Sequence, residues 1–145
     1  ALARAQLVIA TRARPQDTVD HIKQILNPHY RGPVIVAPFV TTLPNYSSTQ
    51  HGPVLIVAGI ANPERFCQAI SDLGVDVAAR YLVPDHALIS RDTLQERVKG
   101  CRAIVTTAKD FWRDPQIFGQ LPVPVLVAEL VPEIDFDLVD SFLFN

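Results

Sequence analysis

With 145 residues, 48% of them hydrophobic and 19% charged, the chain has the size and composition of one globular domain that buries its own core, not of a disordered segment. A net charge of −2 leaves no basic footprint for nucleic acid, and the longest apolar run, 53–61, falls well short of the roughly 20 residues that span a bilayer. No signal-peptide pattern is read, and Cys67, Cys101, His21, His29, His51 and His86 form neither a disulfide framework nor a metal-ligand spacing, so reduced, half-buried thiols are expected.

The chain opens on Ala1 rather than Met and runs at once into an apolar stretch, 7–10, predicted as the first strand. So abrupt a start is the expectation for a protein with a further amino-terminal portion. A helix is predicted over 18–26, with Val19, Ile22, Ile25 and Leu26 on one face, Asp17 as N-cap and Asn27-Pro28 as its stop. Residues 34–37 read as the next strand. The Ser-, Thr-, Pro- and Asn-rich stretch 41–53 reads as a loop, and it is where an internal division of this single α/β domain is expected.

Beyond it, the unbroken apolar run 54–58 predicts a strand buried on both faces. Asn62 as N-cap and Pro63 at the first helical position then open a helix through Phe66, Ala69, Ile70 and Leu73, which Gly74 stops. A strand within 75–83 ends at Pro84. Ser90 caps a helix carrying Leu94 and Val98, stopped by Gly100. A strand at 103–105 runs into Thr106 and Thr107. A short irregular or helical piece at 111–119, a last strand at 123–127 and a short helix over 137–144 complete the chain. This alternation predicts an α/β fold: a mostly parallel sheet flanked by helices, a Rossmann-like three-layer arrangement.

Polar clusters at 59–65, 84–86 and 106–110 each follow a different strand. In open α/β sheets, ligands bind beyond the carboxyl ends of the strands, so a parallel sheet would bring Asn62, His86 and Lys109 to one rim. Each cluster also has an ordinary explanation. Asn62-Pro63-Glu64 is a complete helix start, Thr106 and Thr107 can satisfy backbone at a strand end, and Lys109 and Asp110 can be a solvated pair. His86 follows Pro84, which fixes the backbone, and Asp85, whose carboxylate can orient an imidazole and raise its basicity, as a general base requires. A structural histidine would look the same. No GxGxxG follows a strand, no GxxxxGKS/T is present and no GxSxG elbow occurs, which disfavours a dinucleotide-binding unit, a Walker-type phosphate cradle and an α/β-hydrolase.

The runs Ala58-Gly59-Ile60-Ala61-Asn62-Pro63-Glu64-Arg65-Phe66, Pro84-Asp85-His86 and Thr106-Thr107-Ala108-Lys109-Asp110, with the opening Leu2-Ala3-Arg4-Ala5-Gln6-Leu7-Val8-Ile9, resemble the carboxyl-terminal half of the tetraacyldisaccharide 4'-kinases, the lipid A 4'-kinases of Gram-negative bacteria. The resemblance implies the second lobe of a P-loop kinase whose first lobe, carrying the Walker motif and the membrane-associating elements, is absent from this chain. It implies ATP and Mg²⁺ in the complete enzyme, a lipid-linked disaccharide substrate, and a cytoplasmic location at the inner-membrane face. By the same resemblance His86 is the catalytic histidine and Asp85 the acid that helps hold it. Asn62, Thr106, Thr107 and Lys109 are expected to bind cofactor. No metal ligand is assigned, no tightly bound cofactor is expected on this chain alone, and the chain alone is expected to be inactive. Ala87 and Ala108 stand where the family commonly has a second histidine and a glutamate. Two other readings stay open: a stand-alone module that binds a nucleotide or sugar without chemistry, and an interaction domain anchored by Phe111 and Trp112.

Overall fold

The computed structural model describes residues 2–11 and 18–144. It divides into two compact units, Ala1–Val40 with Leu130–Asn145, and Thr41–Glu129. In the first unit, strands β1 (Val8–Thr11) and β2 (Val34–Ala37) pair in parallel, with Val8 opposite Val34 and Thr11 opposite Ala37. Helix α1 (Val19–Leu26) connects them. Its cap is Thr18, whose side chain accepts from the His21 N–H at 3.2 Å; the expected cap, Asp17, lies outside the described residues. The Tyr30 ring is buried, and its hydroxyl donates to the Pro33 carbonyl at 2.9 Å. The unit also contains the terminal helix, which spans Phe136–Leu143 and is capped by Asp135.

The second unit carries the greater part of a five-stranded sheet in the order β3-β7-β6-β4-β5, where β3 is Phe39–Thr42, β4 Val54–Ala58, β5 Val77–Leu82, β6 Ala103–Thr107 and β7 Val125–Pro132. Strand β4 pairs in parallel with β5 and with β6, and β6 pairs in parallel with β7. All five residues of β4 are fully buried, because the strand is covered on both faces. Val54, Ile56 and Ala58 face Phe66, Cys67 and Ile70 of α3 (Pro63–Asp72). Leu55 and Val57 face the other way, toward Leu94 of α4 (Arg91–Arg97), Val98 at its end and Phe118. Sheet and flanking helices therefore form the α/β architecture that the alternating pattern predicts. Both thiols are free and buried more completely than expected, and burial raises the pKa of Cys67 and Cys101 above the usual thiol value.

The stretch read as loop, 41–53, is more ordered than its composition implies. It holds the end of β3, β-branched Thr41 and Thr42, and the single-turn helix α2 (Ser48–His51). The piece read as irregular or helical, 111–119, resolves into α5 (Ala108–Arg113) and α6 (Pro115–Gly119). They are separate because the residue before a proline is pushed out of the helical region; Asp114 sits at φ −150, ψ 77. Strand β7 continues past the expected limit at 127 to Pro132, along residues that turn outward and are no longer purely apolar.

Candidate functional site

Parallel pairing places Ala58 opposite Leu82 and Val57 opposite Thr106, so β4, β5 and β6 finish on the same side of the sheet. Beyond those ends, the Val83 N–H still donates to the Ala58 carbonyl at 2.9 Å, carrying the exit of β5 along the edge of β4. A turn then closes from the Ala87 N–H to the Pro84 carbonyl at 2.9 Å, with His86 in the left-handed region at φ +65. For a residue with a β-carbon that conformation costs about 1 kcal/mol or more. The turn lifts His86 clear of the surface, its side chain 78% exposed.

Asp85 has a different neighbour on each oxygen. Lys109 Nζ donates to Oδ1 at 2.6 Å, whereas His86 Nε2 stands 3.5 Å from Oδ2, within ion-pair reach but beyond hydrogen-bond distance. The Lys109 hydrogen bond holds the Asp85 carboxyl below its usual pKa against partial desolvation, and the charge of His86 acts in the same direction. Whatever the pair contributes is therefore present above the ordinary carboxylate range and is lost only as pH falls below it.

The other expected site residues each have a structural partner or are sealed away. Asn62 Oδ1 accepts from the Arg65 N–H at 3.2 Å and so caps α3. Thr107 caps α5, accepting from the Asp110 N–H at 3.1 Å while its hydroxyl donates to Asp110 Oδ2 at 2.8 Å. Thr106 is fully buried, and its hydroxyl oxygen has no hydrogen-bond partner.

The centre of the rim is a residue that the charge pattern conceals. Asp110 is 1% exposed, not solvated. Its Oδ2 accepts from the Gly59 N–H at 2.9 Å as well as from Thr107, and its Oδ1 accepts from Arg113 Nη2 at 2.8 Å. One carboxylate in the first turn of α5 thus ties the loop after β4 to the end of β6. Gly59 must be glycine for this approach: a Cβ there would lie 2.9 Å from Val83 Cγ2, 3.0 Å from Arg113 Nη2 and 3.2 Å from Asp110 Oδ1. Two signals in the sequence could have exposed the network. Thr107-x-x-Asp110 has capping-box spacing, and a glycine directly follows a buried strand.

Among the described residues no group of three or more His, Cys, Asp or Glu could hold a metal ion, and both acids at the rim already face cations. These residues do not fit a metal site of their own. Trp112 is 72% exposed and stands edge-on to Phe111 with ring centroids 5.2 Å apart. In the first unit, Asn27, Tyr30, Arg31 and Gly32 line an open surface hollow.

A family model described as LpxK, tetraacyldisaccharide-1-P 4'-kinase, matches residues 1–143. The tetraacyldisaccharide 4'-kinase of Jannaschia sp. (strain CCS1) is 36% identical over 111 residues, covering 71% of this chain and 31% of that protein. The enzyme of the same name from Syntrophobacter fumaroxidans is 32% identical over a 151-residue alignment, covering 93% of this chain and 38% of that protein. Among solved structures, LpxK from Aquifex aeolicus in complex with ATP matches with a TM-score of 0.52 at 12% identity, covering 95% of this chain and 51% of that one, a likeness of fold. The chain spans 31% to 38% of these two curated relatives.

Proposed function

Since the chain belongs to the tetraacyldisaccharide-1-P 4'-kinase family, we propose that it forms the carboxyl-terminal lobe of a kinase that phosphorylates the 4'-hydroxyl of a lipid A disaccharide precursor. The observation that carries this reading is the rim, where parallel strands deliver an exposed histidine, an acid beside it and a lysine bound to that acid. A P-loop lobe would hold the nucleotide, and the lobe described here would close over it and exclude water.

In the transfer, the sugar oxygen forms a bond to the γ-phosphorus as the bond from that phosphorus to the β-γ bridging oxygen breaks, releasing ADP. His86 takes the proton that the hydroxyl loses. Asp85, kept ionised by Lys109, faces the imidazolium that results. Phosphoryl transfer depends mainly on positioning and charge neutralisation, so a base that arrives by lobe closure fits the chemistry. Mg²⁺, when bound, neutralises phosphate charge. By the family resemblance it is assigned to the P-loop lobe. None of the described helices is long and apolar enough to cross a membrane; contact with the inner membrane, at its cytoplasmic face, is assigned to the other lobe.

The test is transfer of labelled γ-phosphate to tetraacyldisaccharide 1-phosphate by the full-length protein. His86→Ala is expected to lower turnover by about 10²-fold or more with the fold intact. Near-normal turnover would return His86 to a structural role, and no transfer by the unaltered protein would sink the kinase reading.

A further inference from the structure

We infer that Lys109 is a positioning residue, one that fixes Asp85 and through it presents His86, and that it is not a ligand for the nucleotide. The inference deepens the reading of His86 given above and rests on it.

The geometry is specific in three respects. The ammonium spans from the first turn of α5 to the turn after β5, a sequence separation of 24, and meets Asp85 at the short distance of a charge-assisted hydrogen bond. Lys109 is bound to one Asp85 oxygen, and the other stands toward His86 Nε2. Lys109 also projects from a fixed base. The adjacent Asp110 is buried and hydrogen-bonded to Gly59, Thr107 and Arg113, so the first turn of α5 cannot shift without breaking those bonds. Asp110 does not compete for the ammonium, being turned inward to Arg113, and residue 108 is alanine.

The Lys109 and Asp85 side chains are 46% and 32% exposed, and in open solvent such a pair restrains its members weakly. Closing a lobe over them would remove water and strengthen the restraint at the moment His86 is needed. A lysine reaching for phosphate would instead have to release Asp85, and the acid would then be free to turn from His86.

The experiment uses the full-length protein and the variants Lys109→Met, Lys109→Arg, Asp85→Asn and the Lys109→Met/Asp85→Asn pair. Lys109→Met is expected to lower kcat about tenfold with the KM for ATP little changed, and the double variant to be no worse than Asp85→Asn, since the residues act as a unit. Lys109→Arg should recover most of the loss. A KM for ATP raised about tenfold, with the double variant additive, would make Lys109 a phosphate ligand and overturn the inference. A second readout does not depend on turnover: in protein carrying ¹³C-labelled histidine, the imidazole signal assigned by His86→Gln should move in Lys109→Met and stay in place in Lys99→Met. An unmoved signal overturns the inference. A moved signal in a protein without 4'-kinase activity upholds the positioning role while the functional reading fails.

Discussion

A carboxylate that is 1% exposed must be answered by donors on every side, and Asp110 is answered by a backbone N–H, a hydroxyl and a guanidinium. Removing it leaves the Gly59 N–H and a largely covered Arg113 without a partner. Asp110→Ala is therefore expected to destabilise the protein by about 3 kcal/mol, measured by denaturant unfolding. Asp110→Asn, which keeps one acceptor oxygen, should cost less. A loss below about 0.5 kcal/mol for the alanine variant would place the carboxylate among ordinary surface acids. The sequence hides this role for a geometric reason. Lys109 and Asp110 are neighbours in the chain, and neighbours of opposite charge invite reading as a pair. Successive residues on a helix point in different directions, however, and here one reaches out to Asp85 while the other turns in toward Gly59. His86 was more legible, because Pro84 and Asp85 announce a turn after an apolar strand. Its left-handed backbone was not, since no residue type there demands a positive φ.

At the scale of elements, punctuation carried the reading. Asn62 and Pro63 mark the start of α3, and Gly74 and Gly100 stop their helices in the left-handed conformation, at φ +75 and +86. Strand β4 could be placed to the residue because nothing polar interrupts it. Strand β7 could not, since its outer half carries Glu129 and lies at the surface, where hydrophobic pattern no longer constrains it. Capping sets the expectation for Asn62→Ala: a loss of about 1 kcal/mol in stability, read as a lowered thermal midpoint and largely restored by Asn62→Asp. An unchanged midpoint would mean that the Arg65 N–H finds water as readily as it finds Asn62.

For the whole molecule, the proposed function makes the rim one side of a site. In that reading His86, Asp85 and Lys109 supply a base, an acid and the lysine that holds the acid, and the described residues show no group of three or more metal-ligating side chains. The chain on its own is expected to show no phosphoryl transfer and no tight binding of ATP-Mg²⁺ by titration calorimetry. Both should return when it is joined to a P-loop lobe. Micromolar binding by the isolated chain would assign nucleotide recognition to this rim instead. Family membership was legible from three short motifs in order, since motifs sit where chemistry constrains residue type. The local composition of 41–53 suggests an internal division there, and the two compact units part between Val40 and Thr41; that 130–145 groups with the first unit was not legible, because it depends on packing and not on any local run of residues.

The bond between Gly59 and Asp110 joins positions 51 residues apart. It can form only after β6 has come to lie beside β4, a pairing with no local shortcut in the chain. Closing so long a loop costs entropy that nearby contacts do not recover until the central strands have met. Rim assembly is therefore expected late in folding, and a chain trapped with only its helices and local contacts formed would lack this edge.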